Sequence, residues 1–261
     1  MIVERVLAPN PGIYTGPGTN TYLVADGDDV AVVDAGPVID SHLVAIMDAI
    51  GGRTAVAVIA THTHPDHAPL SNKLGGRLGV PVLGFGSGPE FEPDVRIKDG
   101  DEVRVGAHHL QAVHTPGHSA DHLCFRLSDR LFTGDHIMGG STVVMEDASA
   151  YLESLYRVQE LGVTRIEPGH GDSIDNAGDV ITGYIEHRLA REQEIVESIA
   201  AGARTVGDIV DVVYSSVHAD LRAAATHQVI VQLNKLLADE RVRFSAGAAG
   251  PSTMVELIAR Q

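Results

Sequence analysis

From Thr61 to His67 the chain reads Thr-His-Thr-His-Pro-Asp-His, the pattern H-x-H-x-D-H over His62 to His67. Three imidazoles and a carboxylate on one turn collect the nitrogen and oxygen donors that a divalent ion requires. Such donors suit zinc, with iron or manganese as alternatives. Packed together with no cation, they would be buried polar groups without partners, which is costly. The preceding run, Ala55 to Ala60 (AVAVIA), reads as a buried strand, so the cluster sits where a strand ends and a helix begins. Residues two apart on an extended strand share a side, which sets His62 beside His64. Pro65 suits the first turn of a helix, since it has no N–H to lose. Asp66 and His67 then project from that turn toward a neighbouring point, and one turn can feed two adjacent ions.

The elements that must position this turn alternate along the first 183 residues. Strands are predicted at Tyr22–Ala25, Val30–Asp34, Ala55–Thr61, Val80–Phe85, Glu102–Val105, Leu110–His114, His122–Leu127, Arg130–Thr133 and Arg165–Glu167. Helices are predicted at Ile39–Ile50, Asp66–Leu74 and Ala148–Leu161, the last capped by Asp147. Many strands with helices between them imply two sheets covered by helices, a layered α/β architecture. Near residue 176 the texture changes. A long amphipathic helix runs from Asn176 to about Ala201, and Thr205 to Asp208 has capping-box spacing and opens a short helix. Asp220 to Ala238 forms another helix, and Arg241–Ser245 with Met254–Ile258 forms a hairpin around Gly247–Pro251. Helix, helix, helix, hairpin is a winged-helix-like order. The chain therefore divides into a layered α/β domain that carries this turn, residues 1–175, and a C-terminal winged-helix-like domain, residues 176–261. A nucleic-acid-reading helix presents basic and amide side chains. The 220–238 helix offers only Arg222, His227, Gln228, Gln232, Asn234 and Lys235, so a lid or dimerisation module (a homodimer) is at least as good a reading.

Composition narrows the class. The 261 residues are 44% hydrophobic, enough for a sizeable core, with no apolar run long enough for a membrane span and no secretory signal pattern. Cys124 is the single cysteine and reads as a small core residue, and these features point to the cytoplasm. Net charge is −16, carried mostly by residues 1–183, with 11 Lys+Arg against 25 Asp+Glu. An acidic surface repels nucleic acid at long range, although bound cations would reverse the sign locally.

Three further polar points follow strands: Thr115-Pro-Gly-His118, Thr133-Gly-Asp135 and Pro168-Gly-His170-Gly171. Each sets a His or Asp on a glycine-containing turn that can face a shared cleft. With H-x-H-x-D-H and the early strand ending Val32-Val33-Asp34-Ala35-Gly36, these motifs resemble the metallo-β-lactamase superfamily over roughly residues 13–175. That resemblance implies an αββα sandwich with its site at one sheet edge. It implies one metal held by His62, His64 and His118, a second by Asp66, His67 and His170, Asp135 bridging them, and Asp34 orienting the metal loop. The cofactor is then two Zn2+, with Fe or Mn as alternatives.

Departures choose among branches. Asp135 stands where well-known antibiotic-hydrolysing members carry cysteine. Only 34 residues separate Asp135 from His170, too few for the inserted domain of the β-CASP nucleases. No Glu replaces the second histidine of the first motif, as it would in the diiron flavoproteins. The chain looks closest to the glyoxalase-II-like branch, and its wording (TPGHSADH, PGHG, HRLAREQEI) resembles the β-lactamase-like protein two subfamily. The resemblance implies a hydrolase in which a bridging hydroxide, oriented by Asp66, attacks a thioester or small ester, as in hydroxyacylglutathione hydrolases. The alternative is a phosphodiesterase cutting single-stranded RNA, with a lactonase or β-lactam hydrolase behind it. A different class is a non-catalytic regulator that binds nucleic acid through the terminal module. Outside the ligand set, His122 reads as a strand histidine or an outer support of the site, and Tyr184, His187 and Arg188 as cleft or interdomain residues. His42 and His227 have no motif support.

Overall fold

The computed structural model describes residues 1–139, 142–244 and 249–258. Two sheets are built from β1 (Ile2–Leu7), β2 (Asn20–Asp26), β3 (Asp29–Val33), β4 (Thr54–Ile59), β5 (Val82–Gly84) and β6 (Val95–Arg96), and from β7 (Glu102–Val105), β8 (His108–His114), β9 (Leu123–Leu127), β10 (Arg130–Gly134) and β11 (Arg165–Pro168). The first sheet has the order β1-β2-β3-β4-β5-β6 and the second β11-β10-β9-β8-β7. Helices α1 (Asp40–Ile50) and α2 (Leu70–Leu78) cover the first sheet, while α3 (Ala148–Glu160) and the start of α4 (Ala177–Ala200) cover the second.

Side-chain alternation explains the layering. On β2 and β3, Tyr22, Val24, Ala31 and Val33 point between the sheets, against Leu110, Phe125 and Phe132. Their neighbours Leu23, Val30 and Val32 point outward to Leu43, Ile46, Leu70 and Leu74 of α1 and α2. A strand buried on both faces reads as a continuous apolar run, which is why VAVVD and AVAVIA were legible. The expected αββα sandwich is the observed one.

Two predictions about elements need correction. The helix expected at Asp66–Leu74 lies at Leu70–Leu78, and Pro65 opens a turn rather than a helix. The N–H groups of His67 and Ala68 both donate to the His64 carbonyl, at 3.0 and 3.2 Å, and the His67 carbonyl accepts from Gly36. The backbone of this turn is thus committed to Gly36, and the helix starts only after Pro69. It runs through Gly75, where a Cβ would lie 2.5 Å from Val82, and stops at left-handed Gly79. Strands β1 and β6 were not anticipated: β1 is a largely exposed edge strand and β6 has two residues.

Beyond α4 come α5 (Val206–Val213), a single 3-10 turn, α6 (Arg222–Ala238), and the strands β12 (Val242–Phe244) and β13 (Val255–Leu257), which pair antiparallel. The Thr205–Asp208 capping box is present in both directions. Ser245 and the Gly247–Ala248 part of the expected hairpin turn lie outside the described residues. Helix α4 is common to both units: Ala177, Ile181 and Ile185 pack with α3, whereas Ile195 and Ile199 pack with α5 and α6.

Candidate metal centre

The sequence-predicted ligands converge from five chain segments. His62 and His64 follow β4, Asp66 and His67 come from the turn after them, His118 follows β8, Asp135 follows β10 and His170 follows β11. Two donor groups result, His62/His64/His118/Asp135 and Asp66/His67/His170, each with its donor atoms within 4.8 Å of one another. The His62 and His64 ring centres are 4.5 Å apart, side by side as expected, although both lie past the end of β4. Asp135 faces both groups. Its Oδ1 lies 3.3 Å from Nε2 of His67 and of His170, and its Oδ2 lies 3.6 Å from His118 Nε2.

Outer hydrogen bonds decide which nitrogen each ring offers. Asp34, 2% exposed, accepts from Thr61 N–H at 2.7 Å, Thr61 Oγ1–H at 2.8 Å and His67 Nδ1–H at 2.9 Å. Thr61 Oγ1, its own proton given to Asp34, accepts from His62 Nδ1 at 3.0 Å. His118 Nδ1 donates to the Val144 carbonyl at 2.7 Å, and His170 Nδ1 donates to Gly18 O at 3.1 Å. Every one of these rings is left with an Nε2 lone pair aimed inward. His62 Nε2 and Asp135 Oδ1 are buried with no hydrogen-bond partner, and the Nε2 atoms of His67 and His170 face each other at 3.3 Å. Such a donor set repels itself unless a cation lies between its members, so it fits a metal ion.

The electrostatics agree. Burial opposes charge on His67, but the carboxylates of Asp135, Asp66 and Asp34 outweigh it and hold its pKa well above the ordinary imidazole value. His170 is likewise opposed by burial, yet the carboxylates of Asp135 and Asp66 beside it lift it to about 9. Burial and then the charge of His67 hold His62 well below the ordinary value. Burial opposes ionisation of Asp66, but His67 draws its pKa down to about 2. The cluster thus demands positive charge and, without metal, takes it as protons.

Close backbone approach is required at Gly169, where a Cβ would lie 2.7 Å from His67 Cε1 and 2.9 Å from Asp135 Oδ1. Burial leaves His122 neutral. Its Nδ1 donates to Thr115 Oγ1 at 2.9 Å and its Nε2 accepts the Asp135 N–H at 3.2 Å, so this histidine, just ahead of β9, seats Asp135. His136, next to Asp135, packs on Tyr151. Cys124 is the expected core residue, with burial raising its thiol to about 12.

A cleft of about 440 Å3 lies over the cluster. Ile13, Tyr14, Met138 and Val144 supply apolar wall, and Ala224 and His227 of α6 close one side. Sequence reasoning missed Ile13, Tyr14 and His227, because none sits in a motif and all reach the cleft only through tertiary packing. His42, also without motif support, is buried and hydrogen-bonds Thr21, which in turn donates to the Asp34 carbonyl. Tyr184 and Arg188 are interdomain residues: Tyr184 bonds the backbone of Met138, and Arg188 bonds Val143 O and lies over the Tyr151 ring.

These layers and this donor set define the class: an αββα sandwich carrying at one sheet edge a two-part His/Asp cluster able to bind metal ions. The chain belongs to the metallo-beta-lactamase superfamily, whose sequence pattern matches residues 14–170, and residues 205–249 match the beta-lactamase associated winged helix domain. It is 34% identical to the "Beta-lactamase-like protein 2 homolog" of Caenorhabditis elegans over 91% of this chain and 84% of that one. It is 33% identical to an "Atrochrysone carboxyl ACP thioesterase" of Aspergillus chevalieri over 93% of this chain and 83% of that one. A beta-lactamase domain protein from Burkholderia ambifaria has the same fold, with TM-score 0.83 at 21% identity, 98% of this chain and 91% of that one being covered.

Proposed function

We propose that this protein is a metal-dependent hydrolase of thioesters or small esters, holding two Zn2+ ions in its two donor groups. The carrying observation is the cleft above the cluster, whose lining among the described residues contains no lysine or arginine and includes Glu146. A phosphodiester backbone is bound chiefly through such cations, whereas an uncharged acyl group needs apolar wall and a polarised carbonyl. A relative named as an acyl carrier thioesterase supports the same choice. Helix α6, the counterpart of a reading helix, spends its amide side chain Gln228 on the backbone of Met145 and faces the cleft, which disfavours the nucleic-acid-binding regulator.

Divalent ions held by His62, His64, His118, Asp66, His67, His170 and Asp135 would supply a water of lowered pKa and a Lewis acid for the carbonyl oxygen. Asp135 sets the spacing of the two donor groups, one carboxylate oxygen toward each. Asp66, the more exposed carboxylate and ionised at neutral pH, accepts a hydrogen bond from the attacking water and so orients it. Apolar side chains of Met138, Val144 and Ile13 exclude competing solvent from the acyl group. A thiolate leaves without a proton, so cleavage of a thioester requires no general acid here.

The test is purified protein of counted metal content, assayed side by side on a glutathione thioester, a small ester, a lactone, a bis-aryl phosphodiester and single-stranded RNA. Thioester or ester cleavage that is lost in His64→Ala and Asp135→Ala is the expected result. Cleavage of the diester and RNA alone would overturn it.

A further inference from the structure

The segment from Val143 to Asp147 joins the metal cluster to the C-terminal module. On one face it is tied to the His118 turn: the His118 Nδ1–H donates to Val144 O at 2.7 Å, and the N–H groups of Glu146 and Asp147 donate to Gly117 O at 2.7 and 3.0 Å. On the other face it is gripped from α6 and α4. The Gln228 amide takes both polar groups of Met145, its Oε1 accepting from the N–H at 3.2 Å and its Nε2 donating to the carbonyl at 2.9 Å. His227 Nε2 donates to that carbonyl at 3.2 Å, and Arg188 donates to Val143 O at 2.7 Å. Val143 and Met145 are buried in the core beside α3 and α4, so the strap cannot slide without breaking packing. Gln228 is itself 8% exposed, 83 residues from its partner in sequence.

We propose that the C-terminal module sets the orientation of His118 through this strap, and that Gln228 is a positioning residue for the donor group His62/His64/His118/Asp135. It rests on the reading of His118 as a metal ligand and not on the choice of substrate. A ring whose Nδ1 partner is displaced loses both its fixed tautomer and its direction, and loss of such partners lowers metal affinity by roughly 10–100-fold. Coupling is reciprocal: metal binding at His118 tightens the strap and hence the grip of α6.

Two measurements test it, neither of which reads activity. In the first, zinc affinity is measured by chelator competition for wild type, Gln228→Met and Gln232→Met. Gln232 is a buried glutamine one turn further along α6, with no described bond to the strap. About a tenfold loss at one of two sites in Gln228→Met, with Gln232→Met unchanged, is expected. Unchanged affinity in Gln228→Met, or equal losses in both, would overturn the proposal. The second needs no variant and serves if Gln228→Met does not fold. Hydrogen exchange of the wild-type protein with zinc and after chelation should show the Met145 amide and the first turns of α6 more protected with zinc, and equal protection would overturn it. Full zinc affinity in His118→Ala would instead sink the ligand assignment, and inactivity toward thioesters would sink only the proposed substrate.

Discussion

At the scale of single residues, the cluster is organised by groups buried behind the donors, outside the cleft lining. Asp34 holds three donors at once and does so in a left-handed backbone conformation, φ 54°, which Asn also tolerates. Asp34→Asn should therefore fold, but its amide must present an NH2 toward one of those donors. Metal affinity should fall by about 10–100-fold, as read by chelator competition, and an unaltered affinity would remove Asp34 from its orienting role. Histidine burial also sets a pH dependence. Burial holds His42 at about 4 and His136 at about 3, below the value of about 6.5 for an unfolded chain. Between those values the unfolded chain binds more protons, so stability falls as pH drops below about 6.5. His170, lifted to about 9, acts the other way. Its contribution is complete below about 6.5 and is lost as pH rises through 9. The melting temperature of metal-free protein should peak near pH 6.5, and zinc should flatten the alkaline side, since a coordinated imidazole has no such proton to lose. A metal-free melting temperature that climbs from pH 6.5 to 9 would contradict this.

At the scale of elements, the site depends on where strands stop and on how close their turns come. Parallel β10 and β11 deliver Asp135 and His170 side by side, and the Gly134–Gly169 backbone contact, N–H to O at 2.8 Å, locks the two turns together. Gly169→Ala would drive a methyl into His67 and Asp135. The expected result is loss of most zinc binding and hydrolysis, while the far-ultraviolet circular dichroism and the strand content stay as they were. Full zinc occupancy in that variant would show that the turn has slack the structure denies. The one misplaced element, α2, makes the same point. Pro65, set just past the end of a strand, suggested that Asp66 and His67 sit on a helix. Instead, the Gly36 backbone captures that stretch as a turn, which points Asp66 into the cleft and buries His67 beneath it against Asp34.

For the whole molecule, α4 matters most, because its first half completes the αββα core and its second half belongs to the winged-helix unit. A chain ended at residue 175 would leave Tyr151, Leu155 and Val158 of α3 without Ile181 and Ile185, exposing an apolar face. It should aggregate or lose its cooperative melting transition, whereas a chain ended near residue 190 should keep one. Equal thermal behaviour of the two would mean that α4 is dispensable to the core. No helix among the described residues is long and apolar enough to cross a membrane.

The seven donors and Asp34 were legible because strand alternation, proline, glycine turns and capping act over a few neighbouring residues, and the matched motifs are local in the chain. So were the buried strands VAVVD and AVAVIA and the Thr205–Asp208 cap. Only the tertiary structure decided the rest: the tautomers that aim the Nε2 atoms of His62, His67, His118 and His170 inward, the turn taken by Asp66 and His67, and the packing of α6. From its side chains, α6 read as a thin candidate for nucleic-acid contact. Its Gln228 and His227 instead grip a strap 83 and 82 residues away in sequence. The physical reason is the range of the interactions. Periodicity and capping are written into adjacent residues, whereas the partner of a buried amide or imidazole is set by which surfaces pack, and one chain's local pattern carries no record of that.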